Sequence, residues 1–330
     1  FGAQYHELEA RAENGYEETV EELLNPTDES HGMDLDLAER YFIEWNHHIR
    51  CVPEYIAFRM INSKSQLEEK MILFWHGILC HTDSKNQSQI ASHAEWEMLR
   101  RCAMGSFKDL LVEISKDLAM VYFLDTCLSH KDAINENYGR ELLELFSLGV
   151  GMDGEFNYTE DDVKECSRAF TGWTLANGMP PQPYGRYPST FVFNPEDHDE
   201  GEKTFLGHTG NLNGEDIIDI LCRQPATARF ISRHLYNFFV ADDVQVPAWQ
   251  HTPSGDPEAI KILEEEYFRS NYDIRSMLDV LFNSDFFKSD RVRFAKVKSP
   301  AEVVVGTLHL LGDFKFPKRG IFDVAMGCRY

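Results

Sequence analysis

Asn135-Glu136-Asn137-Tyr138-Gly139-Arg140-Glu141-Leu142-Leu143-Glu144-Leu145-Phe146-Ser147-Leu148-Gly149-Val150-Gly151 sets an asparagine, an arginine and two carboxylates at helical spacing inside a strongly apolar segment. Wound as an α-helix, Asn137, Arg140, Glu141 and Glu144 fall in one contiguous band. Tyr138, Leu142, Leu145 and Phe146 fill the adjoining band, and Leu143 and Leu148 break up the rest. A helix that is apolar on most sides is buried on most sides. The polar band is therefore expected to face other protein or a cleft rather than open water. Gly149 supplies the left-handed residue that closes the helix.

The chain on either side reads in the same way. Residues 1–24 give two short helices broken at Asn14-Gly15, with Pro26 closing the second, and residues 25–34 read as a polar loop. Leu37 to Arg50 and Pro53 to Met60 are helical, with His47 and His48 near the end of the first, where cations suit the helix dipole. Capping-box signatures stand at Ser65 with Glu68, Thr159 with Asp162 and Ser299 with Glu302. The last also has Pro300 at the first helical position. Helices are further expected near 92–104, 107–128, 215–222, 226–240, 257–270, 274–284 and 300–311. Residues 174–214 differ, being rich in Pro, Gly and Asn. Within them Thr190-Phe191-Val192-Phe193 and Lys203-Thr204-Phe205-Leu206 read as two short strands of one β-hairpin joined by an acidic loop. Excursions of this length often serve as lids or binding surfaces. The expected fold is mainly α: a multi-helix single domain over residues 1–330 with one long Pro/Gly-rich insertion carrying a short β-hairpin.

Composition narrows the function classes. The 330 residues are 43% hydrophobic, enough for a sizeable core. The formal charge is −23, from 55 acidic against 32 basic residues, which argues against nucleic acid or an anionic membrane as the main partner. No stretch approaches the roughly 20 apolar residues of a membrane span. The seven cysteines lack metal-ligand spacing and read as small core residues, with a disulfide or two still open. Asn86-Gln87-Ser88 and Asn157-Tyr158-Thr159 are acceptor sequons that matter only in a eukaryotic secretory setting. Nucleophile-elbow, P-loop and dinucleotide signatures are missing, which disfavours α/β-hydrolase, kinase and dehydrogenase readings.

Several segments resemble a bacterial family catalogued only as domain of unknown function 1800. They are the Asn135–Gly151 stretch, Tyr158-Thr159-Glu160-Asp161-Asp162-Val163 and Arg168-Ala169-Phe170-Thr171-Gly172-Trp173. Phe74-Trp75-His76, Phe193 to His198-Asp199, Lys203-Thr204-Phe205-Leu206-Gly207, Pro225-Ala226-Thr227-Ala228-Arg229-Phe230 and Lys298-Ser299-Pro300 match too. The likeness runs in order from Phe1-Gly2 to about Leu311. It implies a mainly α-helical fold, an extracytoplasmic setting and a native chain that extends beyond both ends. Family members are often encoded beside a second family that looks like phosphatases and sulfatases, which implies that an active site could belong to a partner protein.

Four groups of residues are candidates for chemistry. In the first, Glu141 and Glu144 could share a divalent metal or split into acid and base, with Arg140 and Asn137 holding substrate. The bland alternative is an internal polar network in which Arg140 pairs with Glu144. The second is His76 inside the apolar run Met71–Leu79, a general base or metal ligand if near Glu141, with His81 and His93 able to join it; otherwise it is a core histidine bonded to a backbone carbonyl. The third is the acidic loop Glu196-Asp197-His198-Asp199-Glu200, where His198 as a catalytic group and Asp199 as a substrate contact stand out only through the resemblance. The fourth is Arg168 with Trp173: periodicity leaves Arg168 on the solvated side of its helix, and Trp173 could line a pocket or simply pack.

Two functions follow from these candidates. One is a soluble hydrolase with a carboxylate/His site at Glu141, Glu144, His76 or His198. The other is a non-catalytic binding or assembly protein, acting with a protein partner or as a homo-oligomer, in which the band is structural. They part on what Glu141 and Glu144 face.

Overall fold

Strong local signals set the helices. The computed structural model describes residues 1–26, 33, 35–41, 51–86, 88–152, 155–176, 189–246 and 248–312. His47, His48, Cys328, most of the expected 25–34 loop and the middle of the insertion, 177–188, lie outside the described residues.

The described chain is mainly α-helical. Two N-terminal helices, Tyr5–Asn14 and Tyr16–Leu24, break at Gly15, which holds φ +94°. The capping boxes at Thr159 and Ser299 both form, each hydroxyl accepting from the backbone N–H three residues on, while Asp162 and Glu302 reach back to the cap. A further box, Asn213 with Asp216, starts the Gly214–Cys222 helix. The Pro225–Phe239 and Pro257–Arg269 helices pack side by side, and the Asn137–Glu144 helix lies on Glu160–Ala169.

One hydrophobic cluster runs through the chain from Val20 to Val305. Trp75 sits within it at 0% exposure. Its ring stacks on Phe107 at 5.6 Å, and its Nε1 donates to the Ala103 carbonyl at 2.8 Å, so the one polar atom of the largest side chain is satisfied.

Several sequence expectations are corrected. The 107–128 segment is two helices, Phe107–Lys116 and Leu118–Phe123, because Asp117 takes extended backbone and caps the second through Met120 N. Ser65 makes no cap bond; its φ/ψ of −86°/63° is off the extended cap geometry, and its N–H donates to Ser63 Oγ at 3.1 Å instead. The two expected strands of the insertion do not pair with each other. Phe191–Phe193 runs antiparallel to Trp173–Leu175, with Trp173 opposite Phe193, and Lys203–Phe205 turns back on His208–Gly210. The reason is local: Leu206 (φ +45°) and Gly207 (φ +80°) form a two-residue turn, so the second strand finds its partner immediately. A third short ribbon pairs Gly151–Met152 with Glu155–Phe156. As to the cysteines, Cys80, Cys102, Cys127, Cys166 and Cys222 are free thiols.

Candidate functional site

The quoted stretch forms the helix Asn137–Glu144, and its faces divide nearly as the sequence indicates. Tyr138, Gly139, Leu142 and Leu143 are buried. Tyr138 packs edge-on to Phe170 at 5.0 Å and shares a short hydrogen bond with Ser115. Gly139 lets this helix approach its neighbour: a Cβ there would stand 2.1 Å from Ser167 Oγ. Leu145 departs from expectation at 44% exposure, because the helix ends at Glu144 and the chain enters a turn. Gly149 closes that turn at φ +69°, its N–H donating to the Leu143 carbonyl at 3.1 Å.

The polar band is partly buried and partly paired. Arg140 does not pair with Glu144. It reaches across to the next helix and grips Glu160 with two bonds of 2.9 and 2.7 Å, with Glu136 at 3.7 Å. That fork holds the Glu160 carboxyl below its ordinary range. Asn137 Nδ2 donates to the Leu124 carbonyl at 3.2 Å. The Glu141 carboxylate has no hydrogen-bond partner among the described residues, while its backbone carbonyl accepts from Leu145 and Phe146. Burial, then the charge of Glu144, pushes its carboxyl up against the pull of Arg140. Glu144 accepts from Tyr158 Oη at 3.2 Å and lines a cleft.

The cleft has a volume of about 170 Å³ and is mostly apolar. One wall is the turn after the Asn137–Glu144 helix, running to Met152 and Asn157. Asn157 Nδ2 fixes that turn by donating to the carbonyls of Leu148 at 2.9 Å and Gly149 at 3.0 Å. The other wall is the Pro225–Phe239 helix with Val246, Trp249 and Gln250.

Arg233 is the unusual member of this lining. It is 4% exposed. Its guanidinium lies 4.3 Å from the centre of the Trp249 ring, and Nη2 donates to the Thr252 carbonyl at 3.3 Å. Its Nε is buried with no hydrogen-bond partner, no carboxylate among the described residues lies within ion-pair distance of it, and Asp243 acts on it only from farther off. Arg229, one turn earlier, is by contrast paired with Glu264 at 3.0 Å and half exposed. His234 packs edge-on to Phe230 and tilted against Trp249, and burial followed by the charge of Arg233 pushes its pKa down to about 3, so the ring is neutral. Sequence reasoning passed over Arg233. The available signal was its place: it lies almost directly above Ala226, two turns on, within the apolar face of its helix.

The remaining candidates lie in two other places. His76 keeps company with Glu95, 4.0 Å from its Nδ1, and with the Trp96 ring at 4.3 Å. Burial, then His81, pushes the His76 pKa down to about 4. His81 Nδ1 stands 2.6 Å from Glu95, and its Nε2 stands 2.9 Å from Ser92 Oγ. This is the serine–histidine–carboxylate order of hydrolytic triads. Ser92 is 3% exposed and Glu95 0%, which keeps the hydroxyl out of a substrate's reach, so we read the group as a core polar network. Burial, then the charge of Glu95, holds the Asp117 carboxyl well above its usual range beside it. His93 turns away to Glu97 at 3.9 Å. Asn86, the first sequon residue, is 4% exposed in the same region and donates to Ser92 Oγ at 3.1 Å.

Arg168, His198, Asp199 and Trp173 meet at the acidic loop. Arg168 is not a solvated residue. It donates to both oxygens of Asp199, at 2.7 and 3.1 Å, and to Glu165 and the Glu202 carbonyl. His198 is 5% exposed and its Nδ1 meets the Thr171 carbonyl at 2.8 Å. Trp173 is 4% exposed, between Phe170 and Phe191, with Lys116 Nζ 5.5 Å above its ring. The group clasps the loop to the Glu160–Ala169 helix. Arg168 holds the Asp199 carboxyl below its ordinary range. A depressed folded-state pKa contributes stability that is present above the unfolded value, near ~3.9, and is lost as pH falls through the folded one. Asp199→Asn is therefore expected to remove part of the stability measured at neutral pH. Its deficit should shrink below about pH 4, and a deficit that stays constant with pH would contradict the clasp.

Among the described residues, no group of three or more His, Cys, Asp or Glu is placed to hold a metal ion, and no helix is long and apolar enough to cross a membrane. A mainly helical body with a small Arg- and Trp-lined cleft is the class that the fold and site define. The chain belongs to the family described as "Protein of unknown function (DUF1800)", whose family model matches residues 1–325. No curated protein and no solved structure matches the chain.

Proposed function

We propose that the protein is a binding module that takes a small organic acid in the cleft between the 144–157 turn and the Pro225–Phe239 helix. The observation that carries this reading is Arg233, a buried guanidinium that no carboxylate among the described residues contacts directly, Asp243 acting on it only from farther off. A buried charge is costly unless it is paired, and the planar fork of arginine matches a carboxylate bidentately. A ligand acid supplies the missing charge, and Trp249 and Phe230 cover its apolar part. The test is calorimetric titration with 3-phenylpropionate. Arg233→Leu is expected to weaken binding by about 1.5–3 kcal/mol, the value of a charge-assisted bond, or roughly ten- to a hundredfold. Equal binding to the variant would overturn the reading.

A second reading, a hydrolase with Glu144 as its acid–base group, has one observation in its favour: the Glu144 carboxylate lines the cleft and Glu141 beside it holds its proton more tightly than usual. It requires ester or glycoside turnover that disappears in Glu144→Gln. The single domain belongs to the proposal through the absence of a linker-like stretch in the sequence, and the extracytoplasmic setting and a phosphatase- or sulfatase-like partner through the family resemblance.

A further inference from the structure

Glu144 is awkward for a cleft that binds simple acids. Its carboxylate lines the same space as Arg233, yet the two are not within ion-pair distance. Tyr158 donates a single bond to it, leaving acceptor capacity directed at the cleft. A ligand bearing only a negative charge would be drawn to Arg233 and repelled by Glu144, in a chain whose net charge is already −23. An ammonium on the same ligand removes that penalty. Leu145, Leu148, Met152, Phe230, Val246 and Trp249 supply the apolar lining. The volume of about 170 Å³ is close to the roughly 150 Å³ of an engineered cavity that holds one benzene.

Resting on the binding reading above, we infer that the preferred ligand is a zwitterion with an apolar body of about one aromatic ring. Arg233 takes its carboxylate and Glu144 its ammonium. An amino acid with an aromatic or branched side chain has this chemistry. Glu144 is then a specificity determinant: it favours amino acids over plain acids, which bind more weakly.

The test compares matched probes by calorimetry: phenylalanine and 4-(aminomethyl)benzoate as zwitterions, 3-phenylpropionate as an acid and phenethylamine as an amine. At least one zwitterion is expected to bind wild-type protein ten times or more tighter than the acid, and the amine not at all. Glu144→Gln, which keeps an acceptor for Tyr158, is expected to erase that preference while 3-phenylpropionate binds as well or better. That retained acid binding also reports a folded cleft. If acid and zwitterion bind equally, and Glu144→Gln changes neither, the zwitterion inference fails while the acid-binding reading stands. If no carboxylate probe binds and Arg233→Leu is indistinguishable from wild type, both fail.

Discussion

Glu69→Ala is expected to destabilise the protein by about 3–5 kcal/mol. Glu69 is 0% exposed and serves two arginines at once. Arg59 Nε lies 3.4 Å from it, at 2% exposure, and Arg100 reaches both of its oxygens at 3.2 and 3.0 Å. Removing the carboxylate leaves two buried guanidiniums with weaker company: Glu97, which accepts from Arg100 at 2.7 Å and stands 3.5 Å from Arg59, and the Tyr55 hydroxyl, which accepts from Arg59 at 2.9 Å. The asymmetry between removing a pair and removing one partner matters here. Arg59→Met with Glu69→Leu should recover part of the loss, because one buried guanidinium goes with the carboxylate while Arg100 keeps its bond to Glu97. Urea denaturation measures both variants. A loss below about 1 kcal/mol for Glu69→Ala, the range of exposed pairs, would mean that water reaches the network.

Gly139→Ala should be strongly damaging although it adds only a single methyl group. The new Cβ would stand 2.1 Å from Ser167 Oγ, 3.1 Å from the Val163 carbonyl oxygen and 3.2 Å from Ser167 Cβ. Two of these three atoms belong to one side chain, and that side chain is tied to Val163 O by a 2.8 Å bond. Overpacking of a rigid contact costs about 1–3 kcal/mol, and more where backbone must move. Ser167→Ala removes the closest atom, so the double variant should be less impaired than the sum of the two singles. Strict additivity in that cycle would show that the helices separate instead of clashing. The second helix must shift for either variant to fold, so Arg140 and Glu160, which link the same two helices, should loosen as well.

Much of the architecture is written locally and could be read without coordinates. Thr159 and Ser299 announce helix starts because their caps are satisfied within a few residues, and neither needs distant contacts. Ser65 has the same letters but loses its cap to Ser63, a competition the pattern does not reveal. The ribbons were misjoined for a related reason: a strand's letters give its preference for extended backbone, while its partner is decided by turns such as Leu206-Gly207 and by what lies across space. The site divides similarly. Helical spacing alone sets Glu144 in a band expected to face other protein or a cleft. It offered no route to Trp249 or Thr252, which meet Arg233 only after the chain has folded back. Arg168 was assigned to solvent because periodicity cannot foresee a loop, 30 residues on, laid over that face.

The two walls of the cleft come from parts of the chain that are far apart in sequence, 144–157 and 226–250. Any occupant that touches Glu144 and Arg233 together acts as a removable staple between them. By linkage, ligand at a hundredfold excess over its dissociation constant adds about 2.7 kcal/mol to folding stability. The same coupling runs in reverse. A variant such as Gly139→Ala, which touches no ligand, loosens the helix that carries Glu144, so it should weaken binding as it weakens the fold. A thermal shift on adding ligand would therefore report on the whole body, and the cleft can serve as a gauge of how firmly its first wall is held.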